Sequence, residues 1–317
     1  MTGTPPASTT RTPLAARFWR YQSERFPLAG FAPLITVFTF SSAAYSRLSR
    51  GEPGFIRGPL FAVGALTALV FFFLLRVLDE HKDAEVDRRY RPELPVPRGL
   101  VTLAELRWIG GAALALVLAL NAWAAPALLV PILGVAGWAT LMTKEFFVRD
   151  WLRAHASAYL LTHMLIMPMI DAYTTGLDWV VARAHAPPGL FYFLAVTFLN
   201  GILIEIGRKI RAPEGEREGV DTYTKAWGLR TAPAVWLGAL LGSAATAWLA
   251  TRQTGAGAVS AVLLVVMGVG CAITGADFLR APSARRSKRI EVASQAWPLF
   301  TYSLLGAGPF LLRRFGV

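Results

Sequence analysis

Long apolar blocks alternate along this chain with short, strongly charged segments. The blocks fall at about 27–46, 59–80, 103–122, 125–144, 157–177, 188–208, 231–250, 256–279 and 294–312. An α-helix rises about 1.5 Å per residue, so a block of roughly 20 residues crosses ~30 Å of hydrocarbon. The pattern therefore predicts an all-α membrane protein, with about nine transmembrane helices in a single bundle around a central cavity. Only Trp123 to Ala125 separate the third block from the fourth, which predicts a tight helical hairpin there.

Composition agrees with a bilayer rather than a soluble core. The 317 residues are 54% hydrophobic and 16% charged, where a soluble domain carries roughly a quarter charged residues. A net charge of +12 raises the question of nucleic acid. The cations sit in loops beside apolar blocks, however, where membrane insertion places them, and this argues against a nucleic-acid partner. Cys271 is the single cysteine, so no intramolecular disulfide forms, and no Cys/His group has zinc-site spacing. Segment 1–26 is Pro/Thr-rich and then basic, without the apolar core of a secretory signal.

With nine crossings, the amino terminus and the even-numbered loops share one side. That side collects twenty-three Lys and Arg residues; the other has seven, Arg47, Arg50, Arg57, Arg183, Arg252, Arg313 and Arg314. The bias predicts a cytoplasmic amino terminus and cytoplasmic even loops, in the inner membrane if the cell is bacterial.

Two charged clusters fall on that side. The second block ends in RVLDEHKDAEVD, where Asp79, Asp83 and Asp87 stand at i, i+4 and i+8 beside Glu80. Such residues share a helix face, and like charges four apart repel, so the ladder calls for a cation. All-oxygen donors suit Mg²⁺, which takes one or two carboxylates and completes its shell with water and phosphate. The plainer alternative is a solvated helix end partnered by Lys82, Arg88 and Arg89. The sixth block ends in EIGRKIRAPEGEREGVDTYTKAWG, with Glu205, Arg208, Lys209 and Arg211 at or just past its end. Arg forks and Lys point charges both bind diphosphate. For Arg217, Lys225 and Arg230 ordinary topology is the preferred explanation.

These two segments resemble the UbiA superfamily of intramembrane prenyltransferases. The first acidic motif of that family, N-D-x-x-D-x-x-x-D, is matched by Asp79, Glu80, Asp83 and Asp87. The following RPELPVPRGLVT resembles its Arg-Pro…Gly-x-x-Ser/Thr segment through Arg91, Pro92, Gly99 and Thr102. Gly219 to Thr222 match the Gly-x-x-Thr that closes the second motif, but Lys209 stands where an aspartate is expected four residues after Glu205. That substitution leaves one Mg²⁺ and a basic clamp as an option. Where the family carries Tyr-x-x-x-Lys, this chain has Thr140 and Lys144.

The resemblance implies a Mg-dependent prenyltransferase domain over 27–317, capped by loops 81–102 and 209–230. It implies an isoprenyl diphosphate ionised over Asp79, Glu80, Asp83 and Asp87, with Lys144, Arg208, Lys209 and Arg211 as diphosphate ligands and Glu205 as a remaining acid of the second motif. The acceptor is aromatic or otherwise lipophilic; cyclisation without an acceptor, or a transporter, are the other readings. Phe72, Phe73, Phe191 and Phe198 offer ring faces to an allylic cation. Within the spans, Asp171 reads as an interfacial residue, and Asn121 and Asn200 as members of a polar network between helices, with Asn200 also spaced to face the same cavity as Glu205.

Overall fold

The computed structural model describes residues 12–315, and among them every regular element is helical. In chain order the helices are α1 (Leu14–Arg25), α2 (Leu28–Ser49), α3 (Gly58–Lys82), α4 (Ala84–Tyr90), α5 (Leu103–Ala124) and α6 (Leu129–Thr143). There follow α7 (Arg149–Ala154), α8 (Ala156–Met164), α9 (Ile166–Trp179), α10 (Leu190–Arg208) and α11 (Tyr223–Trp227). The chain ends with α12 (Thr231–Arg252), α13 (Gly257–Arg280), α14 (Ala284–Tyr302) and α15 (Gly308–Phe315). Residues 1–11 of the amino-terminal segment, Arg11 included, lie outside the described residues, as do 316–317.

Seven of the apolar blocks form helical stretches long and apolar enough to cross a membrane: α2, α3, α5, α10, α12 and α13, and α6 with the 3₁₀ turn Pro126–Leu128 before it. The other two are composite. The fifth block divides at Leu165 into α8 and α9, and Pro168 lies in the first turn of α9, where its missing N–H leaves no bond unmade. The ninth divides into α14, a π turn at Ser303–Ala307, and α15; the first half of α14, ARRSKRIE, is too charged for hydrocarbon. Gly306 in that turn lies directly against the backbone of Ser41 on α2, an approach that leaves no room for a Cβ. The chain is a multi-pass integral membrane protein.

Local chemistry sets several ends. Pro59 opens α3 at its second position. Thr102 caps α5 by accepting from the Glu105 N–H at 3.1 Å, while the Glu105 carboxylate accepts from the Thr102 N–H at 2.8 Å. The α5–α6 connection turns at Ala125 through the 3₁₀ turn, as the hairpin expectation requires.

Lipid tails are as apolar as leucine, so close packing and interhelical hydrogen bonds hold such a bundle together. One core joins α10, α12 and α14 around Phe193, Trp236 and Trp297; another joins α3, α6 and α9 around Ile132, Leu177 and Tyr173. Val262, Val265, Val266 and Val269 of α13 remain exposed, the aspect a helix gives to lipid. Asn121 donates to Thr67 and accepts from Tyr173. Asn200 donates to Thr301 and accepts from Ser243, which also receives the Trp297 indole N–H. Asn200 thus serves helix packing, in correction of the expectation that it faces the cavity with Glu205. Asp171 is likewise no interfacial residue: it is buried and accepts hydrogen bonds from Ser42, Thr174 and Tyr302. Beside it, among Phe38, Ala68, Phe72 and Ile170, lies a void of about 10 Å³, room for one water.

Candidate functional site

The C-terminus of α3, the N-terminus of α8 and the C-terminus of α10 meet at one end of the bundle, where α4 and α11 also lie. The ladder survives the break between α3 and α4. Asp83 has φ −94° and ψ 3°, yet its N–H still bonds to the Asp79 carbonyl at 2.9 Å, and the Asp87 N–H bonds to the Asp83 carbonyl at 2.8 Å. The helical i, i+4 spacing of the three aspartates therefore continues through the bend.

The four acids are not equivalent. Asp79 is half-exposed and loosely paired, 3.5 Å from Lys82 and 3.9 Å from Arg76. Asp83 makes no ion pair among the described residues. Asp87 is buried, with Arg91 at 2.7 Å, but its Oδ1 has no aligned hydrogen-bond donor. Burial pushes the Asp87 carboxyl above the usual range, and the Arg91 guanidinium opposes this. Glu80 is committed elsewhere: at 1% exposure it accepts from Arg25 at 2.6 Å and lies 3.4 Å from Arg76.

Arg25 belongs to α1, which is fastened to this end of the molecule at two further places. Arg17 bonds to the Leu100 carbonyl at 2.9 Å and pairs with Glu105 at 2.5 Å, while Arg98 pairs with Glu24 at 2.7 Å.

These donors can be weighed against a divalent ion. Among the described residues no three acidic, His or Cys side chains are gathered as a ready-made metal centre. Mg²⁺ does not need one, because it binds through one or two carboxylates and fills the rest of its shell with water and phosphate. The loosely held Asp79 and the unpaired Asp83 fit that requirement, while Asp87 has its Oδ1 against the Arg91 guanidinium at 2.7 Å without an aligned hydrogen bond. Glu80 is less free, because its Oε1 is held by Arg25 at 2.6 Å with Arg76 at 3.4 Å.

On α10, Glu205 is buried and clamped by Arg208 at 2.5 Å and Lys209 at 2.8 Å. The lysine at the motif's second acidic position thus closes an ion pair inside the protein. Lys209 Nζ also lies 5.9 Å from the Tyr159 ring centroid and 5.8 Å from that of Tyr223. From the other side Lys82 donates to the Tyr159 hydroxyl at 2.8 Å. Asp79 lies close enough to act electrostatically on both Lys82 and Arg208, so the acidic and basic clusters share one site.

The loop after α10 is held by its own side chains. Glu216 accepts from Thr222 at 2.7 Å and Thr224 at 2.8 Å, and Lys225 bonds to the Arg217 carbonyl at 2.6 Å. Gly219, at φ +69°, rests on the ring of Tyr90 with no space for a Cβ, which ties this loop to α4. Burial pushes the Tyr223 hydroxyl up, well beyond the usual phenol range, and the Glu205 charge adds to this.

The structure thus brings Arg208 and Lys209 to the aspartate ladder. Arg211 turns to Glu291 of α14 at 3.6 Å, and Lys144 stands exposed at the end of α6. Thr140 donates to its own helix, at the Ala136 carbonyl. Of the four aromatics named from the sequence, Phe191 is 78% exposed, Phe73 packs against Phe18 and Phe26, Phe198 packs against the core of α10, α12 and α14, and Phe72 lines the void near Asp171. Lys82 pairs with the ladder as its sequence position suggests, whereas Tyr159 and Arg25 belong to the site but do not stand out in the sequence. Tyr159 and His163, at i, i+4, carried the one available signal; their rings stack at 3.8 Å.

No known protein family matches the chain by sequence, and no curated protein does. Its fold does match solved structures. A UbiA homologue from Aeropyrum pernix K1, without ligand, aligns with TM-score 0.65 at 15% identity, over 87% of this chain and 97% of that one. A structure described as concerning the biosynthesis of digeranylgeranylglyceryl phosphate synthase in membranes aligns at 0.64 and 13% identity, over 94% and 100%. A UbiA homologue from Archaeoglobus fulgidus, bound to DMAPP and Mg²⁺, aligns at 0.55 and 11% identity, over 86% and 97%. At these identities the likeness is one of fold, and it extends over almost the whole chain.

Proposed function

We propose that this protein, with the fold of the UbiA homologues, is a Mg²⁺-dependent intramembrane prenyltransferase that ionises an isoprenyl diphosphate and passes the prenyl group to an aromatic or other lipophilic acceptor. The observation that carries this reading is the approach of Asp79, the first acid of the ladder, to Arg208, which shares Glu205 with Lys209, at one end of an apolar bundle. A substrate with a hydrocarbon tail and a polyanionic head matches that division. The neighbour bound to DMAPP and Mg²⁺ supports the same class of substrate.

Asp79, Asp83 and Asp87 are the residues that would hold the ion, which supplies Lewis-acid stabilisation of a departing diphosphate. Arg208 and Lys209 bind phosphate oxygens by charge-assisted hydrogen bonds. When the allylic C–O bond breaks, its electron pair leaves with the diphosphate, and these fixed cations meet the charge as it develops. Loops 81–102 and 209–230, joined where Gly219 meets Tyr90, keep water from the allylic cation. The acceptor carbon then forms the new bond and gives up a proton. The excess of Lys and Arg on this side supports a cytoplasmic site and amino terminus.

The test is incubation of the purified protein with Mg²⁺ and labelled allylic diphosphates of ten to twenty carbons, with and without a panel of phenols. Acceptor-dependent product establishes transfer. Acceptor-independent hydrocarbon or alcohol replaces it with cyclisation, and absence of both diphosphate release and binding rejects the enzymatic reading in favour of a transporter.

A further inference from the structure

Three cations, Lys82, Arg208 and Lys209, crowd the ends of α3 and α10, and the fixed anion among them is Glu205. Asp79 and Asp83 also act on Lys82, but Asp79 is half-exposed and held at 3.5 Å or more, and Asp83 makes no ion pair among the described residues; both belong to the ladder that would hold the ion. Once Asp79 turns to a divalent ion, two positive charges remain on the Tyr159 side. Like charges are gathered this closely at a loss unless an anion joins them.

Tyr159 stands between the two ammonium groups, with Lys82 Nζ 5.4 Å and Lys209 Nζ 5.9 Å from its ring centroid. Its oxygen accepts from Lys82, and no acceptor among the described residues takes the phenol's own proton. The ring cannot turn freely. His163 stacks on it at 3.8 Å and 18°, and the His163 Nδ1 is tied to the Tyr159 carbonyl at 2.9 Å. A fixed O–H donor with one ammonium group on its oxygen and a second 5.9 Å from its ring centroid is complementary to one phosphate group.

We infer that Lys82, Tyr159 and Lys209 form a metal-free half-site that receives one phosphate of the diphosphate, so that a single divalent ion, on the aspartate side, completes the cradle. This rests on the proposed reaction for the identity of the anion. It accounts for Glu205, whose two oxygens are already paired, one with Arg208 and the other with Lys209, so that its charge is offset before any second ion arrives. Tyr159 becomes a residue that touches substrate.

Inorganic pyrophosphate is the probe, titrated calorimetrically into the full chain in lipid nanodiscs, once in EDTA and once in Mg²⁺. The wild type binds in EDTA. Tyr159→Phe, which removes one oxygen and keeps the ring on His163, weakens that binding about tenfold, and Lys209→Gln weakens it further; melting curves establish that both variants are folded. Mn²⁺ counted by electron paramagnetic resonance reaches one ion per pyrophosphate-loaded chain. Binding that requires a divalent ion, binding in EDTA that neither variant changes, or two ions per chain overturns the half-site. Turnover of a prenyl diphosphate without metal-free pyrophosphate binding removes the half-site and keeps the reaction. Metal-free binding that the variants weaken, with no turnover of any prenyl diphosphate, removes the reaction and keeps the anion site.

Discussion

Glu80 and Asp83 are three residues apart in one acidic run, and the structure gives them opposite tasks. Glu80 is buried between Arg25 and Arg76, so Glu80→Ala leaves two guanidinium groups without their partner. A loss of about 3 kcal/mol in unfolding stability is expected, read by thermal or denaturant melts in a membrane mimetic. Asp83 has no such partner. Asp83→Ala therefore leaves the melt in place and lowers turnover at least a hundredfold; retained activity would reject it as an ion ligand. Asp87 adds a pH effect. Its folded carboxyl titrates above the ordinary aspartate value, so its charged form disfavours the ion-free fold. Stability linked to the protonated form is present at low pH and declines as pH rises from that ordinary value through the raised one. In EDTA, Asp87→Asn removes this decline and melts higher at neutral pH; a lower melt contradicts the assignment. The ladder was legible because i, i+4 neighbours are a local property of a helix. The pairing of Glu80 with Arg25 was not, since 55 residues separate them and only packing of α1 brings them together.

At the scale of elements, apolar blocks translate into helices wherever nothing interrupts the backbone. They divide where the sequence carries a reason: Pro168 just after the α8–α9 break, and Gly308 and Pro309 just after the π turn that ends α14. The loops are less legible, because their shape depends on what they rest against. Gly219 is the clearest instance, with positive φ and the Tyr90 ring filling the place of a side chain. Gly219→Ala meets both obstacles, and about 2 kcal/mol of local destabilisation is expected, from a backbone term of ~1–2 kcal/mol and the ring contact. Protease nicking of 209–230 should quicken and turnover should fall, with Tyr90→Ala in the same chain recovering part of the loss. If the double variant recovers nothing, the two loops are not coupled through this contact.

For the whole molecule, the charge bias makes a topological prediction that needs no substrate. Cys271 is the single cysteine and is buried, so Cys271→Ser supplies a cysteine-free background. On it, Arg98→Cys and Arg217→Cys should react with an impermeant maleimide only from the cytoplasmic side, and Arg183→Cys only from the opposite side. Labelling of Arg183→Cys and Arg217→Cys from the same side breaks the nine-crossing count.

The order of apolar blocks determined the all-helical membrane class by itself, because the length of a helix that spans hydrocarbon is set by geometry alone. The spacing of Asp79, Asp83 and Asp87, and the basic end of the sixth block, marked where the chemistry lies for the same local reason. Tertiary structure decided which charges remain available to a ligand. Glu80 and Glu205 look like members of the acidic set in the sequence, yet each is buried and paired with internal cations, while Lys82 and Tyr159 are joined by a hydrogen bond across 77 residues. Ion pairs between helices depend on distances of a few ångströms, and those are set by packing, which no local pattern of residues encodes.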